Sequence, residues 1–481
     1  MNVINPRKRF DLVKDPIHGY VRFTKEKILP EEKATEADLI NSSWLQRLRH
    51  IHQLQTAWFV YPSADHTRFT HALGVMELAG EFARVLYEPF YMHNKGKLNG
   101  EVLPSINYVV EAFRLAGLLH DVGHGPFTHL LDDKLLVKDF GITHEDISAA
   151  IIKNVLVDII RGIKRSPEGF FEEELDVELI CNLIKKGNEE KLEGIWRPLH
   201  QIIRGAYDAD KMDFLLRDAL LCGQGGMVYG DIKRLMQTTF LSSDGLTVFI
   251  HHSSLPLLLN FIKFRQHMLE VVYYHRTVRA IEFMIAPTIK PVIKTFIAGN
   301  PLDNLDYYMN LTEYVFFARL GEFEKGNSTQ REISAIWKQV FERKIHWKLL
   351  DERSIFIHSP QELHRYLRKE ELENRIRAET GLSPGCDFII DSPSVETPSN
   401  IFALGGGTEK DRICLYYSEG RHNVHTMDRL ALALHIPIKA LHYRLYVDKE
   451  VPKKLHGKLS DEFCKNISGT DRYNSSSPSS F

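Results

Sequence analysis

The chain has 481 residues, of which 43% are hydrophobic and 26% charged, ordinary proportions for a globular protein with room for about three domains or one large core with lobes. With 61 Lys and Arg against 63 Asp and Glu, the net charge of −2 excludes a generally basic nucleic-acid coat, though not a local basic groove. No apolar run approaches the roughly 18 residues of a membrane helix. The start, MNVINPRKRF, is basic without an apolar stretch, so no secretory signal is expected. Cys181, Cys222, Cys386, Cys414 and Cys464 are scattered, odd in number and form no C-x-x-C pair. A disulfide framework and a Cys-type zinc site are therefore both poor readings, and a reduced cytoplasmic protein is the default expectation.

Residues 1 to about 30 read as an extended arm, with a turn or short hairpin at DPIHGY. Apolar residues at three- and four-residue steps predict helices over 36–54, 71–87 and 106–119. Further helices are predicted at 145–160, 175–186 and 200–221. Short β-like pieces follow near Leu246–His251. A long helical run is predicted over 255–297, broken or kinked at Pro287 and Pro291. Residues 311–380 read as mostly helical and highly charged. Beyond Ser383-Pro384-Gly385 the character changes: CDFIID and DRICLYYS read as strands around a Gly405–Gly407 loop, then a helix at 426–434 and a strand at 441–447. The last 14 residues contain six Ser and are expected to be disordered. The expected fold is mainly α, a helical core over 1–300 with an N-terminal arm. A helical segment at 301–382 suits oligomerisation, and a small α/β lobe covers 383–450.

Six histidines, His66, His71, His120, His124, His129 and His144, fall close together. His120-Asp121 ends an apolar helix, where two adjacent side chains can converge on one metal. Imidazole with carboxylate suits Fe, Mn, Zn or Ni, and carboxylate alone leans to Mg or Mn. Read alone, such a pair is more often a helix C-cap, but Gly123, His124, Gly125 and Pro126 follow at once. His71 alone is a lone histidine. Asp210 shares a helix face with Asp213 or Phe214, Arg217 and Asp218, which is ordinarily a solvated face. His129 and Asp132, three residues apart, suit general acid chemistry or a surface pair.

Together these residues form the order H…HD…D, and on it the sequence resembles the HD-domain metal-dependent phosphohydrolases, nearest their deoxynucleoside triphosphate (dNTP) triphosphohydrolase branch. The segments carrying the resemblance are KDPIHGY (14–20), WLQRLRHIHQL (44–54), FVYPSADHTRFTHALGV (59–75), AGLLHDVGHGPFTHLLDD (116–133), THED (143–146), YDADKMDFLLRD (207–218) and FRQHMLEVVYYHRTVRAIEFMI (264–285). The resemblance implies that His71, His120, Asp121 and Asp210 ligate a divalent metal, whether Mn, Mg, Fe, Zn or Ni. It implies that His129, paired with Asp132, is the general acid, and that His124 and His144 hold phosphates. Arg68 and Lys211 would neutralise the triphosphate. Gln53 and Asp218 would bind the sugar 3′-hydroxyl, and Tyr273 would leave no space for a 2′-hydroxyl.

Two positions depart from the family pattern: Phe214 stands where a Tyr is common, and Tyr274 where a Gln occurs. Gln46 and Arg49 match an activating guanine-nucleotide site. Asn41 and Asp11 do not, so activation by GTP is expected to be absent or altered. The implied partners are a dNTP substrate and further copies of the chain, as a dimer or tetramer. Nucleic acid is not favoured by the net charge, and no membrane partner is implied. Two other readings stay open: the same centre serving a phosphodiesterase, nuclease or nucleotidase, and a non-catalytic nucleotide-binding regulator.

Overall fold

The computed structural model describes residues 10–357, 366, 368–396, 412–418, 421–426 and 439–468. The architecture is mainly α with a few small sheets, as expected. Among the described residues, no helix is long and apolar enough to cross a membrane. The chain forms two compact units. The first gathers residues 1–268, 286–334 and 413–424; the second gathers 269–285, 335–412 and 425–481.

In the first unit, Asp11–Asp15 and Gly19–Phe23 form an antiparallel hairpin with Asp15 opposite Gly19. Asp15 closes the turn by accepting the amides of Ile17 (2.8 Å) and His18 (3.0 Å), and Gly19 takes the left-handed conformation (φ +75°). The helix expected at 36–54 is instead Glu36–Ile40, Ser43–Arg47 and a short 3₁₀ turn at Leu48–His50. The break lies at Asn41-Ser42, where the Ser42 hydroxyl accepts the Leu45 amide and starts the next helix.

Arg68–His93 and Ile106–Leu119 are the two long helices at the centre of this unit, and both are buried on nearly every side. Their close packing needs glycine. A Cβ on Gly117 would lie 2.8 Å from the Val75 carbonyl oxygen. The Ala209–Leu221 helix packs against Arg68–His93 and is capped by Asp208, whose carboxylate accepts the Lys211 amide at 2.8 Å. Sequence reading missed the helix Tyr229–Gln237. The β piece near 246–251 is Val248–His251, paired antiparallel with Thr239–Leu241 and parallel with Arg412–Ser418. The DRICLYYS strand therefore pairs with the first unit rather than with the CDFIID strand.

The run 255–297 does not break at its prolines. Leu255–Met268 passes into a π-helical turn, Leu269–Tyr273, and Arg276–Ile293 then contains both Pro287 and Pro291. The interruption falls at Tyr274-His275, where the Tyr274 amide bonds the Leu269 carbonyl five residues back and leaves the α ladder. In the second unit Trp347–Ile357, expected to be helical, is an eleven-residue strand. It pairs along the whole of Lys439–Asp448, and Phe388–Asp391 pairs on the other side of that central strand, all antiparallel. The long register overrides the charged, helix-compatible sequence of WKLLDERSIFI. Helices Lys369–Thr380 and Lys453–Ser468 complete this unit. Residues 427–434 of the expected helix, the Gly405–Gly407 loop and residues 469–481 lie outside the described residues.

Candidate active site

Four segments of the first unit meet at the start of the Arg68–His93 helix. Residues 51–53 run beside 66–68: the Arg68 amide donates to the Ile51 carbonyl (3.0 Å) and the Gln53 amide to that of His66 (3.0 Å). Arg68 and His71 thereby enter the first turn of the long helix. The Ile106–Leu119 helix ends at His120, and Asp121–His124 forms a tight turn. The Ala209–Leu221 helix brings in Asp210.

His71 Nε2 lies 3.2 Å from Asp210 Oδ1 and 3.8 Å from Asp121 Oδ2. His120 Nε2 lies 3.4 Å from Asp121 Oδ1 and 3.6 Å from Asp210 Oδ1. Both Nε2 atoms are buried without a hydrogen-bond partner. Two orphaned imidazole nitrogens facing two carboxylates fit a divalent cation, which would satisfy all of them. His71, His120 and Asp121 form one group able to hold such an ion.

The opposite nitrogens explain why Nε2 faces inward. His120 Nδ1 donates to the Gly117 carbonyl at 2.7 Å, and His71 Nδ1 donates to Asp213 Oδ2 at 2.8 Å. Asp213 is wholly buried and takes three further hydrogen bonds. They come from His18 Nε2 (2.6 Å), Arg217 Nε (2.9 Å) and Arg217 Nη2 (2.8 Å). Arg217 Nη1 in turn holds Asp15 at 2.8 Å. The DPIHGY hairpin is thus tied to the back of His71. Sequence reading gave Asp213, His18 and Arg217 no role. Their signal was the i, i+3, i+7 spacing of Asp210, Asp213 and Arg217, which reads as a solvated face until a second helix covers it.

Burial and charge set the protonation of this centre. Burial lowers the His71 pKa, but the adjacent carboxylates of Asp210 and Asp213 outweigh it and raise the group to about 10. Burial lowers that of His120 as well, and Asp121 and Asp210 reverse it. Asp121 is held below the usual carboxylate range by Arg68, whose guanidinium binds its Oδ2, against the opposing effect of burial. Asp210 is likewise held low by His120 and His71 despite burial.

A second cluster adjoins the first through Asp121 Oδ1, 3.4 Å from His124 Nε2. The His124 and His144 rings stack with centroids 3.6 Å apart, and His129 lies edge-on to both, at 5.0 and 5.4 Å. The three could also hold a cation. Burial and the nearby Arg68 push His124 well below the usual imidazole range. His129 is the exposed member, its side chain 64% accessible. Asp132 lies between two imidazoles but closer to His144 Nδ1 (2.6 Å) than to His129 Nδ1 (3.6 Å). Burial raises the Asp132 pKa, and the flanking imidazoles of His129 and His144 bring it down to about 2. Gly123 is required here, since a Cβ would lie 2.2 Å from the His144 carbonyl oxygen.

Lys211 Nζ donates to Gly205 O (3.1 Å) and to the Asp208 carboxylate. The Phe214 ring lies 6.4 Å from His71. Asp218 accepts His66 Nε2 at 2.7 Å, both buried, and Gln53 Oε1 is buried without a partner. Tyr273 and Tyr274 belong to the second unit. There the Tyr274 carbonyl accepts Arg444, and Arg279 lies over its ring at 6.0 Å.

The HD domain family model matches residues 68–217, the stretch from Arg68 to Arg217 that holds both clusters. A Dictyostelium discoideum protein, deoxynucleoside triphosphate triphosphohydrolase SAMHD1 homolog, is 27% identical over 311 residues, 64% of this chain and 54% of that protein. Human deoxynucleoside triphosphate triphosphohydrolase SAMHD1 is 26% identical over 415 residues, 79% of this chain and 62% of its own length. The chain spans about half the length of the first of these curated relatives and less than two thirds of the second. The crystal structure of a hypothetical protein from Aquifex aeolicus superimposes with a TM-score of 0.64 at 25% identity, over 94% of this chain and 99% of that one.

Proposed function

With an HD domain at residues 68–217 as the premise, we propose that this protein is a metal-dependent nucleotide phosphohydrolase that cleaves dNTPs to deoxynucleoside and inorganic triphosphate. The observation that carries the reading is the junction of the two clusters at Asp121. A metal-fitting His/Asp set and a group of three imidazoles meet at one carboxylate. His71, His120, Asp121 and Asp210 would hold the metal, which when bound supplies an acidified water and polarises a phosphoryl oxygen.

Arg68, which binds Asp121, and Lys211, which the Gly205 carbonyl and the Asp208 carboxylate hold, are the cations for the triphosphate, where positioning and charge neutralisation dominate the chemistry. His124 and His144 donate N–H to phosphate oxygens. His129, exposed beside an ionised Asp132, protonates the departing 5′-oxygen as the bond to the α-phosphorus breaks. Gln53 and Asp218 take the 3′-hydroxyl, with His66 fixing the Asp218 carboxylate. Phe214 contributes an apolar wall where a hydroxyl would donate.

The test is product analysis. Each dNTP and NTP is incubated with the protein and Mn²⁺ or Mg²⁺, beside Asp121→Ala. Deoxynucleoside with intact triphosphate, absent in the variant, is the expected result. Mono- or diphosphate products would refute the cleavage site and favour a nucleotidase or phosphodiesterase. Binding without turnover would favour a regulator. His129→Ala and His144→Ala, run in parallel, separate the two imidazoles that share Asp132.

A further inference from the structure

Two consecutive residues before His129, Phe127 (φ +58°) and Thr128 (φ +50°), lie in the left-handed region without being glycine. Thr128 has ψ −115°, a conformation poor for a β-branched residue, and His129 starts a helical turn directly after it. Such a backbone persists only where its surroundings over-determine it.

Thr128 is held by its amide on the Gly125 carbonyl (3.1 Å) and its hydroxyl on Gln55 Oε1 (3.4 Å), and the helix Glu313–Phe323 supplies the restraint on Phe127. The Glu313 carboxylate is buried and accepts the Phe127 amide at 3.3 Å. Phe316 and Phe317 meet the buried Phe127 ring edge-on, with centroids at 5.0 and 6.0 Å. Glu313, Phe316 and Phe317 stand at i, i+3 and i+4, a single face of the helix. Glu313 is itself anchored by the His52 amide (3.3 Å) and the His52 ring, which stacks on Trp58 at 4.4 Å.

We propose that Glu313 is a positioning residue: it holds the strained Phe127-Thr128 turn and thereby aims His129. The inference rests on the reading of His129 as the proton donor. Loss of the clamp lets the turn relax and displaces His129, a misplacement that costs about 10- to 100-fold in turnover with little change in KM. Glycine adopts the Thr128 conformation without strain, so it relieves the need for a clamp.

The experiment compares Glu313→Ala, Glu313→Gln and the double variant Glu313→Ala/Thr128→Gly with the full wild-type chain. Readouts are kcat and KM on the best dNTP and hydrogen exchange of amides 125–131. Glu313→Ala is expected to lower kcat about 10- to 100-fold and to speed exchange at those amides. Glu313→Gln, which keeps an acceptor oxygen, stays within about threefold of wild type in both. The double variant recovers most of the lost kcat and protection, a recovery that a merely structural glutamate would not give.

Unchanged exchange in Glu313→Ala, or no recovery in the double variant, overturns the proposal. If the wild type turns over no nucleotide, the proposed function fails, and exchange alone decides the role of Glu313. If Glu313→Ala does not fold, the proposal requires Thr128→Gly to restore folding in that background; a double variant that stays unfolded overturns it.

Discussion

Asp213→Asn probes the centre without replacing a proposed ligand, acting through the bond that Asp213 makes to His71. Asp213 accepts four hydrogen bonds of 2.6 to 2.9 Å, two on each oxygen. Asparagine is isosteric, but one of its ends is an amide NH₂, which donates and does not accept. Whichever way it turns, it sets donors against a pair of donors, either His71 with Arg217 or His18 with Arg217. A disturbed group behind a ligating imidazole ordinarily costs 10- to 100-fold in metal affinity, about 1.4 to 2.8 kcal/mol. Neutralising the carboxylate also leaves the buried Arg217 with Asp15 alone, which should cost about 3 to 5 kcal/mol of stability.

Equilibrium dialysis with Mn²⁺ measures the first effect, and thermal unfolding measures the second. Asp15→Asn is the control. It removes one partner of Arg217 but no partner of His71, so it should lower stability and leave metal affinity intact. The reasoning is refuted if Asp213→Asn binds Mn²⁺ as tightly as wild type, or if Asp15→Asn weakens binding equally.

Two further expectations concern the scaffold. Glu111 is buried with neither oxygen hydrogen-bonded, 3.8 Å from Arg114 Nε. Burial and the neighbouring Glu36 push its pKa well up, against the pull of Arg114 and Arg165. A carboxyl raised in the folded state binds more protons than it does unfolded, so its stabilisation is complete below about pH 4.3 and is lost as pH rises toward the folded value. Every tenfold gain in proton affinity on folding is worth about 1.4 kcal/mol. Glu111→Gln should flatten the fall of Tm with rising pH, and a slope equal to wild type would show that Glu111 does not cause it. At Gly74 a Cβ would lie 1.9 Å from Asp213 Oδ1 and 2.5 Å from Arg217 Nη2. Gly74→Ala should cost about 3 kcal/mol or more by denaturant unfolding and weaken Mn²⁺ binding. Gly225→Ala, with nothing within 4 Å, should be near neutral.

The helical core was legible because its apolar residues repeat at helical steps: Ile106–Leu119 was predicted to the residue, and the Arg68–His93 helix was found but drawn short, over 71–87. The strand Trp347–Ile357 was not, because its charged, loosely periodic sequence acquires its conformation only by pairing with Lys439–Asp448. Nor was the continuity of the helix through Pro287 and Pro291, since local chemistry predicts a break at a proline inside a helix. At the site, the resemblance carried by the H…HD…D order named the groups that the fold gathers, such as His71, His120, Asp121 and Asp210, which taken singly read as caps or solvated charges. The groups behind them stayed hidden. Asp213 looks like one more charge on a helix face, and Glu313 lies 186 residues from the amide it accepts.

The two units are woven along the chain, and this constrains its biosynthesis. Asp218 and every earlier residue of the candidate centre leave the ribosome well before the first unit is complete. Val248–His251 must await Arg412–Ser418 to gain its parallel neighbour. Until then one flank of that strand offers unpaired amides and carbonyls to any passing chain. A nascent protein stalled between residues 335 and 411 would hold all its metal-fitting residues and still lack the parallel neighbour of Val248–His251. Slow synthesis or premature termination in that interval therefore exposes a sticky edge on a body that is otherwise ready to fold.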